Sequence, residues 1–93
     1  MIHEPARLRL TSLLAGVDRM AFSQVASALG VSKSVLSKHA RVLQESGYLQ
    51  LSKEPQDARG TRAWLALTDD GRRALAGHLA ALRAITAGVD GLV

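Results

Sequence analysis

Apolar residues recur at helical spacing three times in the first half of the chain. The three stripes are Leu10, Leu13, Leu14 and Val17; Phe22, Val25, Ala26 and Leu29; and Leu36, Ala40 and Leu43. Spacings of three and four residues place side chains on one face of a helix, so each stripe predicts an amphipathic helix. The first helix begins at Pro5 and ends near Gly16, while Gly30 and Ser32 are suited to end the second and begin the third. Two helices are therefore predicted to flank a turn of about three residues.

After the third helix the apolar period changes from that of a helix to that of a strand. Leu49 and Leu51 alternate with polar residues, and a second alternating run ends at Leu67 after a polar loop over residues 54–61. Thr68 can cap a last helix over residues 69–90. The predicted order is helix, helix, helix, strand, strand, helix, which is a mainly α fold with a small β-hairpin.

The composition fits one small domain with a positive charge. The 93 residues are 47% hydrophobic, enough for a single core, and predict one domain over residues 1–93. The formal net charge of +4 favours a polyanionic partner. The chain has no cysteine and only scattered histidines, so we expect neither a metal site nor a cofactor. No apolar run is long enough to cross a bilayer, and we expect a cytoplasmic protein without a membrane partner.

One face of the third helix, residues 32–46, is positively charged. The residues that project opposite its apolar stripe are Lys33, Ser34, Ser37, Lys38 and Arg41, after Ser32 at the helix start. Lys and Arg on a helix can reach guanine edges or phosphates in the major groove of DNA, and serines allow a close approach. The alternative is an ordinary solvated helix face. The short turn before the helix favours DNA.

The loop between the two strands carries a second basic group. Lys53, Arg59 and Arg62 lie within residues 53–62, and Asp57 could hold the guanidinium of Arg59 in place. An arginine at the tip of a flexible hairpin can enter the narrow minor groove, where the negative potential is concentrated. The alternative, an ordinary solvated loop, stays equally open for the loop taken alone.

Three motifs together resemble the winged-helix core of MarR-type and ArsR-type transcriptional regulators. The run ALGVSKSVLSKHARVLQESGYL is similar to their helix-turn-helix, DARGTR to the wing arginine motif of the MarR group, and LTDDGRRAL to the start of the helix after the wing. The resemblance covers residues 22–75 and implies a winged helix-turn-helix fold. It implies base-edge contacts from Lys33, Ser34, Ser37 and Lys38, backbone contacts from Ser23 and Arg41, minor-groove insertion of Arg59, and phosphate contact by Arg62 at the wing base.

The chain departs from these families in its length. Full-length MarR proteins carry an additional N-terminal helix and a longer C-terminal region, which together form the dimer and an effector pocket. The resemblance therefore implies a compact variant, and it leaves open whether a small molecule controls this chain. Metal sensing of the ArsR type is not expected, because no cysteine is available for it.

The last helix is long for the core of one small domain. Leu75, Leu79, Leu82 and Val89 form an apolar stripe among alanines that would let another helix come close. A homodimer through this helix is predicted, because DNA regulators of this size generally use two half-sites. The alternative is that the stripe covers the first helix of its own domain.

Trp64 lies on the strand face opposite the inward leucines. Partial exposure there would mark a partner surface or a ligand site. The favoured alternative is packing against the first or last helix, because aromatic residues are so few in this chain.

Taken together, the patterns predict a sequence-specific regulator that binds double-stranded DNA, with repression expected. No catalytic arrangement supports an enzyme, since the carboxylate pair at the start of the last helix is explained by the helix dipole. The rival hypothesis is a winged-helix module that recruits a protein and binds no DNA. A third hypothesis, a dimerisation domain of a larger enzyme, is disfavoured by the start at Met1.

Overall fold

The computed structural model describes residues 5–56 and 60–91, with side chains described through residue 85. The elements are α1 (Pro5–Ala15), β1 (Met20–Ala21), α2 (Phe22–Leu29), α3 (Lys33–Glu45), β2 (Leu49–Pro55), β3 (Thr61–Leu67) and α4 (Asp69–Gly91). The predicted fold class is confirmed, since the four helices and the hairpin occur in the predicted order. One strand, β1, is an addition.

The sheet has three antiparallel strands in the order β1-β3-β2, where a two-stranded hairpin was predicted. Met20 pairs with Leu65 and Ala21 pairs with Trp64. A strand of two residues is too short to show an alternating pattern, so periodicity could not predict it. Pairing with β1 makes β3 the central strand.

The hairpin extends further than the sequence predicted. The predicted loop began at Glu54, but Glu54 pairs with Arg62 and Pro55 pairs with Thr61. Proline lacks a backbone donor, and it is tolerated here because β2 lies at the edge of the sheet. The strands of the wing, β2 and β3, are therefore paired as far as Pro55 and Thr61.

The core lies where the helices meet the inner face of the sheet. Its fully buried side chains come from every helix of the helix-turn-helix and from β3. The buried apolar members of this cluster are Leu10, Leu14, Val25, Ala26, Leu36, Ala40, Leu43, Leu49, Leu65, Leu67 and Leu75. Each predicted helical stripe contributes to it. Thr11 is also buried, and its hydroxyl donates within α1 to the carbonyl oxygens of Arg7, at 3.0 Å, and Leu8, at 3.1 Å.

The turn between α2 and α3 has the predicted chemistry. Gly30 has a φ of 68°, a left-handed conformation that other residues adopt only with strain. The N–H of Val31 donates to the carbonyl oxygen of Ala26 at 3.1 Å, which closes the end of α2. Ser32 then caps α3, because its hydroxyl accepts from the N–H of Val35 at 3.2 Å. These bonds fix the orientation of α3 relative to α2.

The first turn of α4 is tied to the rest of the molecule. The hydroxyl of Thr68 donates to the carbonyl oxygen of Gly47 at 2.6 Å and accepts from the N–H of Gly71 at 3.0 Å. A Cβ at Gly71 would overlap the carbonyl oxygen of Tyr48, so only glycine allows this approach. Arg72 donates to the carbonyl oxygens of Ala15 and Val17, each at 3.1 Å. Much of the LTDDGRRAL motif thus has a structural role.

Candidate nucleic-acid interface

The outer face of α3 is exposed and cationic, as its amphipathic pattern requires. Leu36 is 1% exposed and packs inward with the rest of the apolar stripe. The predicted contact residues on the opposite face, Ser32, Lys33, Ser34, Ser37, Lys38 and Arg41, are all exposed. Within residues 5–56 and 60–85, no carboxylate forms an ion pair with Lys33, Lys38 or Arg41. Their charges are available to an anion.

The start of α3 has a charge arrangement that does not favour stability. The first turn contains no acidic residue, although carboxylates stabilise the positive end of a helix dipole. Lys33 occupies the first helical position instead. A cation at this end of a helix costs a few tenths of a kcal/mol to about 1 kcal/mol, and a bound polyanion would remove that cost.

A groove of about 810 Å³ runs along the outer face of α3. Its lining residues are Arg7, Phe22, Lys33, Ser34, Val35, Ser37, Lys38, His39, Arg41 and Val42. Sequence reasoning missed the contributions of α1 and α2, Arg7 and Phe22, because they depend on how the helices cross. His39 is half-buried at the edge of this groove.

A second cleft joins the wing to the starts of α2 and α3. It has a volume of about 480 Å³ and is lined by Ser23, Lys33 and Arg62, three predicted contact residues. Gln56 and Thr61 complete its wing side. Residues from three separate segments of the chain therefore meet at one polar cleft. The lining supplies two cationic and two hydroxyl side chains that could bind a phosphate group.

Of the remaining predicted wing residues, Lys53 is described by the structure and Arg59 is not. Lys53 is exposed on β2, outside the second cleft. Arg59 and its predicted partner Asp57 lie outside the described residues, so the predicted insertion of Arg59 stays a prediction.

Trp64 has partners that the sequence did not indicate. The guanidinium carbon of Arg19 lies 4.0 Å from the ring centroid and that of Arg62 lies 4.8 Å from it. Arg19 also forms an ion pair of 2.5 Å with Glu54, the cross-strand neighbour of Arg62. The predicted packing of this ring against the first or last helix stays a prediction. Arg19 reaches Trp64 through the unpredicted strand β1, so no local pattern could have revealed the cluster.

The four residues proposed for a dimer interface do not share one environment. Leu75 is 5% exposed and belongs to the core of its own domain, which is the alternative stated above. Leu79 is half-buried against that core. Leu82 is 43% exposed, and Ile85, which sequence reasoning omitted, is 64% exposed. The side chain of Val89 lies outside the described residues. Among the side chains of α4 described through residue 85, the exposed large apolar ones thus lie in the distal part of the helix.

Across residues 5–56 and 60–91, no helix combines the length and the apolar character needed to cross a membrane.

Comparisons with known proteins agree with the fold and with the predicted resemblance. The family model described as winged helix DNA-binding domain matches residues 6–86. A transcriptional regulator homologue from Pyrococcus horikoshii OT3 superposes with a TM-score of 0.89 at 28% identity, covering 96% of this chain and 87% of that one. No curated protein sequence matches this chain.

Two further solved structures are longer than this chain. The YusO protein from Bacillus subtilis is 25% identical with a TM-score of 0.85, and the match covers 96% of this chain and 62% of that one. A MarR family transcriptional regulator from Silicibacter pomeroyi DSS is 23% identical with a TM-score of 0.69, covering 97% and 58%, and shows likeness of fold. The chain spans about three fifths of these two proteins. Since the family model extends over most of its length, the chain belongs to the family of winged helix DNA-binding domains.

Proposed function

We propose that this protein is a sequence-specific transcriptional repressor that binds double-stranded DNA as a homodimer. In this proposal α3 enters the major groove and the wing, residues 53–62, follows the adjacent minor groove. The observation that carries it is the second cleft, where Lys33 of α3 and Arg62 of the wing line the same polar space. A duplex needs cations on both elements at once, because its phosphates flank both grooves.

The outer face of α3 supports a role in reading bases. Its lysines and arginine are exposed and, among the described residues, form no ion pair, so binding DNA breaks no ion pair of theirs. Ser34 and Ser37 have short side chains, which would allow bases to approach the helix between the cations. A bidentate contact from Lys or Arg to guanine discriminates against the wrong base by about 1–3 kcal/mol.

The distal part of α4 supports the homodimer. Leu82 and Ile85 expose apolar surface beyond the domain's own core. A second copy of the helix would cover that surface, and the two copies of α3 would then face successive major grooves. Half-sites about 10 bp apart are expected for such a dimer.

A salt titration tests the proposal of DNA binding. The purified protein is titrated with random-sequence duplex DNA at several salt concentrations, and the logarithm of affinity should fall linearly with the logarithm of salt. The variant Lys38→Ala should lower the slope by about 1, because one cation that neutralises phosphate charge is lost. Arg73→Ala is the matched control. It also removes one cation, but from a side chain on α4 that pairs with Asp70.

The outcomes separate this function from recruitment of a protein. Equal slopes for wild type and Lys38→Ala would contradict the placement of Lys38 against the duplex. A complete lack of binding at low salt would contradict DNA binding itself and favour the protein-recruitment hypothesis.

The wing and the direction of regulation need separate experiments. Arg59→Ala should weaken binding and reduce the preference for A·T-rich flanks, measured by binding selection on variant flanking sequences. Repression is tested with a reporter whose promoter overlaps the selected operator. Reporter output should fall when the protein is expressed, and a rise would assign activation instead.

A further inference from the structure

Val35 is an exposed apolar side chain in the middle of a cationic surface. It is 40% exposed, and the other large hydrophobic residues with comparable exposure among those described are Leu82 and Ile85 of α4. Val35 does not belong to the apolar set that packs on the core. It lines the groove on α3 together with Ser34 and Lys38. An apolar group in this position contributes nothing to the core that the structure shows.

The conformation of Val35 is fixed before any ligand binds. Its backbone N–H donates to the hydroxyl of Ser32 at 3.2 Å, so Val35 lies within the capped first turn of α3. A β-branched side chain in a helix has one strongly preferred χ1 rotamer. The two methyl groups therefore project from α3 in a defined direction, with little entropy left to lose on binding.

We propose that Val35 selects a 5-methyl pyrimidine, which is thymine in unmodified DNA, in each half-site of the operator. This inference rests on the proposed function, because it requires α3 in the major groove. The base edges in that groove present hydrogen-bonding groups and one apolar group, the C5-methyl of thymine. A rigid isopropyl group gains free energy there only when it meets that methyl.

The position of Val35 on α3 also places the thymine relative to the other bases. Val35 and Lys38 are three residues apart, so their Cβ atoms lie about 5–6 Å apart on one helix face. Bases along one strand rise about 3.4 Å per step. The thymine is therefore within about two base pairs of the base that Lys38 contacts.

The test is a double-mutant cycle, in which the methyl group is removed from the DNA and the isopropyl group from the protein, singly and together. An operator is first selected with the wild-type protein. Each thymine is then replaced singly by deoxyuridine, which differs only by the methyl. For the wild type, replacing the contacted thymine of a single half-site should weaken binding about fourfold, the value of one buried methyl-sized group. The variant Val35→Ala should bind the thymine and deoxyuridine operators equally.

Control variants isolate the contact. Gln44→Ala changes another exposed side chain of α3 that does not line the groove, and it should keep the fourfold preference for thymine. Thermal unfolding of Val35→Ala should match that of the wild type, because the side chain lies outside the core. If it does not, Val35→Thr keeps the β-branched shape with one methyl replaced by a hydroxyl, and it should show a reduced preference for thymine.

A second DNA series distinguishes the two sources of the methyl. The T·A pair is replaced by a C·G pair, in which the cytosine either carries a 5-methyl group or lacks it. For the wild type, the 5-methyl group should recover part of the affinity lost on replacement, and for Val35→Ala it should recover none. The inference is overturned if no deoxyuridine replacement weakens wild-type binding, or if Val35→Ala keeps the preference. Specific binding without any methyl effect would contradict this inference alone. No selectable operator would contradict the proposed function as well.

Discussion

Helices α3 and α4 both leave one face outside the core, but the two faces differ in chemistry. The exposed face of α3 has Lys33, Lys38 and Arg41 and no acidic neighbour in its first turn. The exposed distal face of α4 has Leu82 and Ile85, 43% and 64% exposed. In the proposed function, the first surface binds a polyanion and the second binds a second copy of the chain.

The difference shows how one chain of this size can serve two partners. The short α3 must lie flat on the core, so its stripe is buried and only the opposite face is available. The longer α4 is held by its first turns, where Gly71 and Leu75 pack on the core, and continues past it. In the proposed function, the helix that would read DNA and the helix that would join two copies therefore use separate surfaces.

The largest expected effect comes from breaking the anchor of α4. A Cβ at Gly71 would overlap the carbonyl oxygen of Tyr48, so Gly71→Ala should destabilise the fold by about 3 kcal/mol. Gly77→Ala is the matched control on the same helix. No atom lies within 4 Å of its added Cβ, and it should stabilise by about 0.5–1 kcal/mol. Thermal and urea unfolding measure both, and a neutral Gly71→Ala would contradict the close approach.

Salt should act on the two surfaces differently. If about four phosphates are contacted, raising salt from roughly 50 to 200 mM should weaken DNA binding about a hundredfold. Apolar association through α4 is not screened, so the dimer should persist over the same range. Fluorescence anisotropy with labelled DNA and sedimentation of the free protein give the two values. If the dissociation constant of the dimer rose with salt as steeply as that of the DNA complex, the proposal that α3 binds DNA and α4 forms the dimer would be contradicted.

The apolar surface of α4 can be tested with a charge. Leu82→Glu or Ile85→Glu should weaken dimerisation about tenfold or more, because a buried carboxylate must lose its hydration. Ala80→Glu, on another side of the same helix and also exposed, should leave dimerisation unchanged. Analytical ultracentrifugation measures all three. Equal dissociation constants would place the interface elsewhere.

The smallest expected effect concerns the outer face of the sheet, where the charges are already engaged. Trp64→Leu removes the ring beneath the guanidinium groups of Arg19 and Arg62 and should cost about 0.5–1 kcal/mol of stability. Trp64→Phe should lose less stability, because the phenyl ring keeps part of the interaction with the guanidinium groups. Because Arg62 is then held less firmly, DNA affinity should fall in the same order, as measured by titration at fixed salt. An unchanged affinity for Trp64→Leu would show that the ring does not position Arg62.

Local patterns predicted the elements whose structure is decided locally. The helical stripes, the glycine at position 30 and the caps at Ser32 and Thr68 depend on neighbours within four residues, and the structure has them as predicted. The exposure of the cationic face of α3 also followed from its periodicity.

The features that the sequence did not reveal depend on distant pairs. Strand β1 forms only because β3, more than 40 residues later, offers it a partner. The contacts of Arg19 with Trp64 and Glu54 follow from that pairing. The apolar stripe of α4 is buried at Leu75 and exposed at Leu82. Where the burial ends depends on how much of the helix the core covers, which periodicity does not predict.

Trp64 gives the molecule a built-in optical probe. It is the only tryptophan in the chain, and its indole lies at the wing base against two guanidinium groups. The intrinsic fluorescence of the protein therefore arises largely at one place, next to the cleft that Arg62 lines. Events at the wing can be followed in unlabelled protein, and stopped-flow emission would time them independently of the arrival of α3 at the bases.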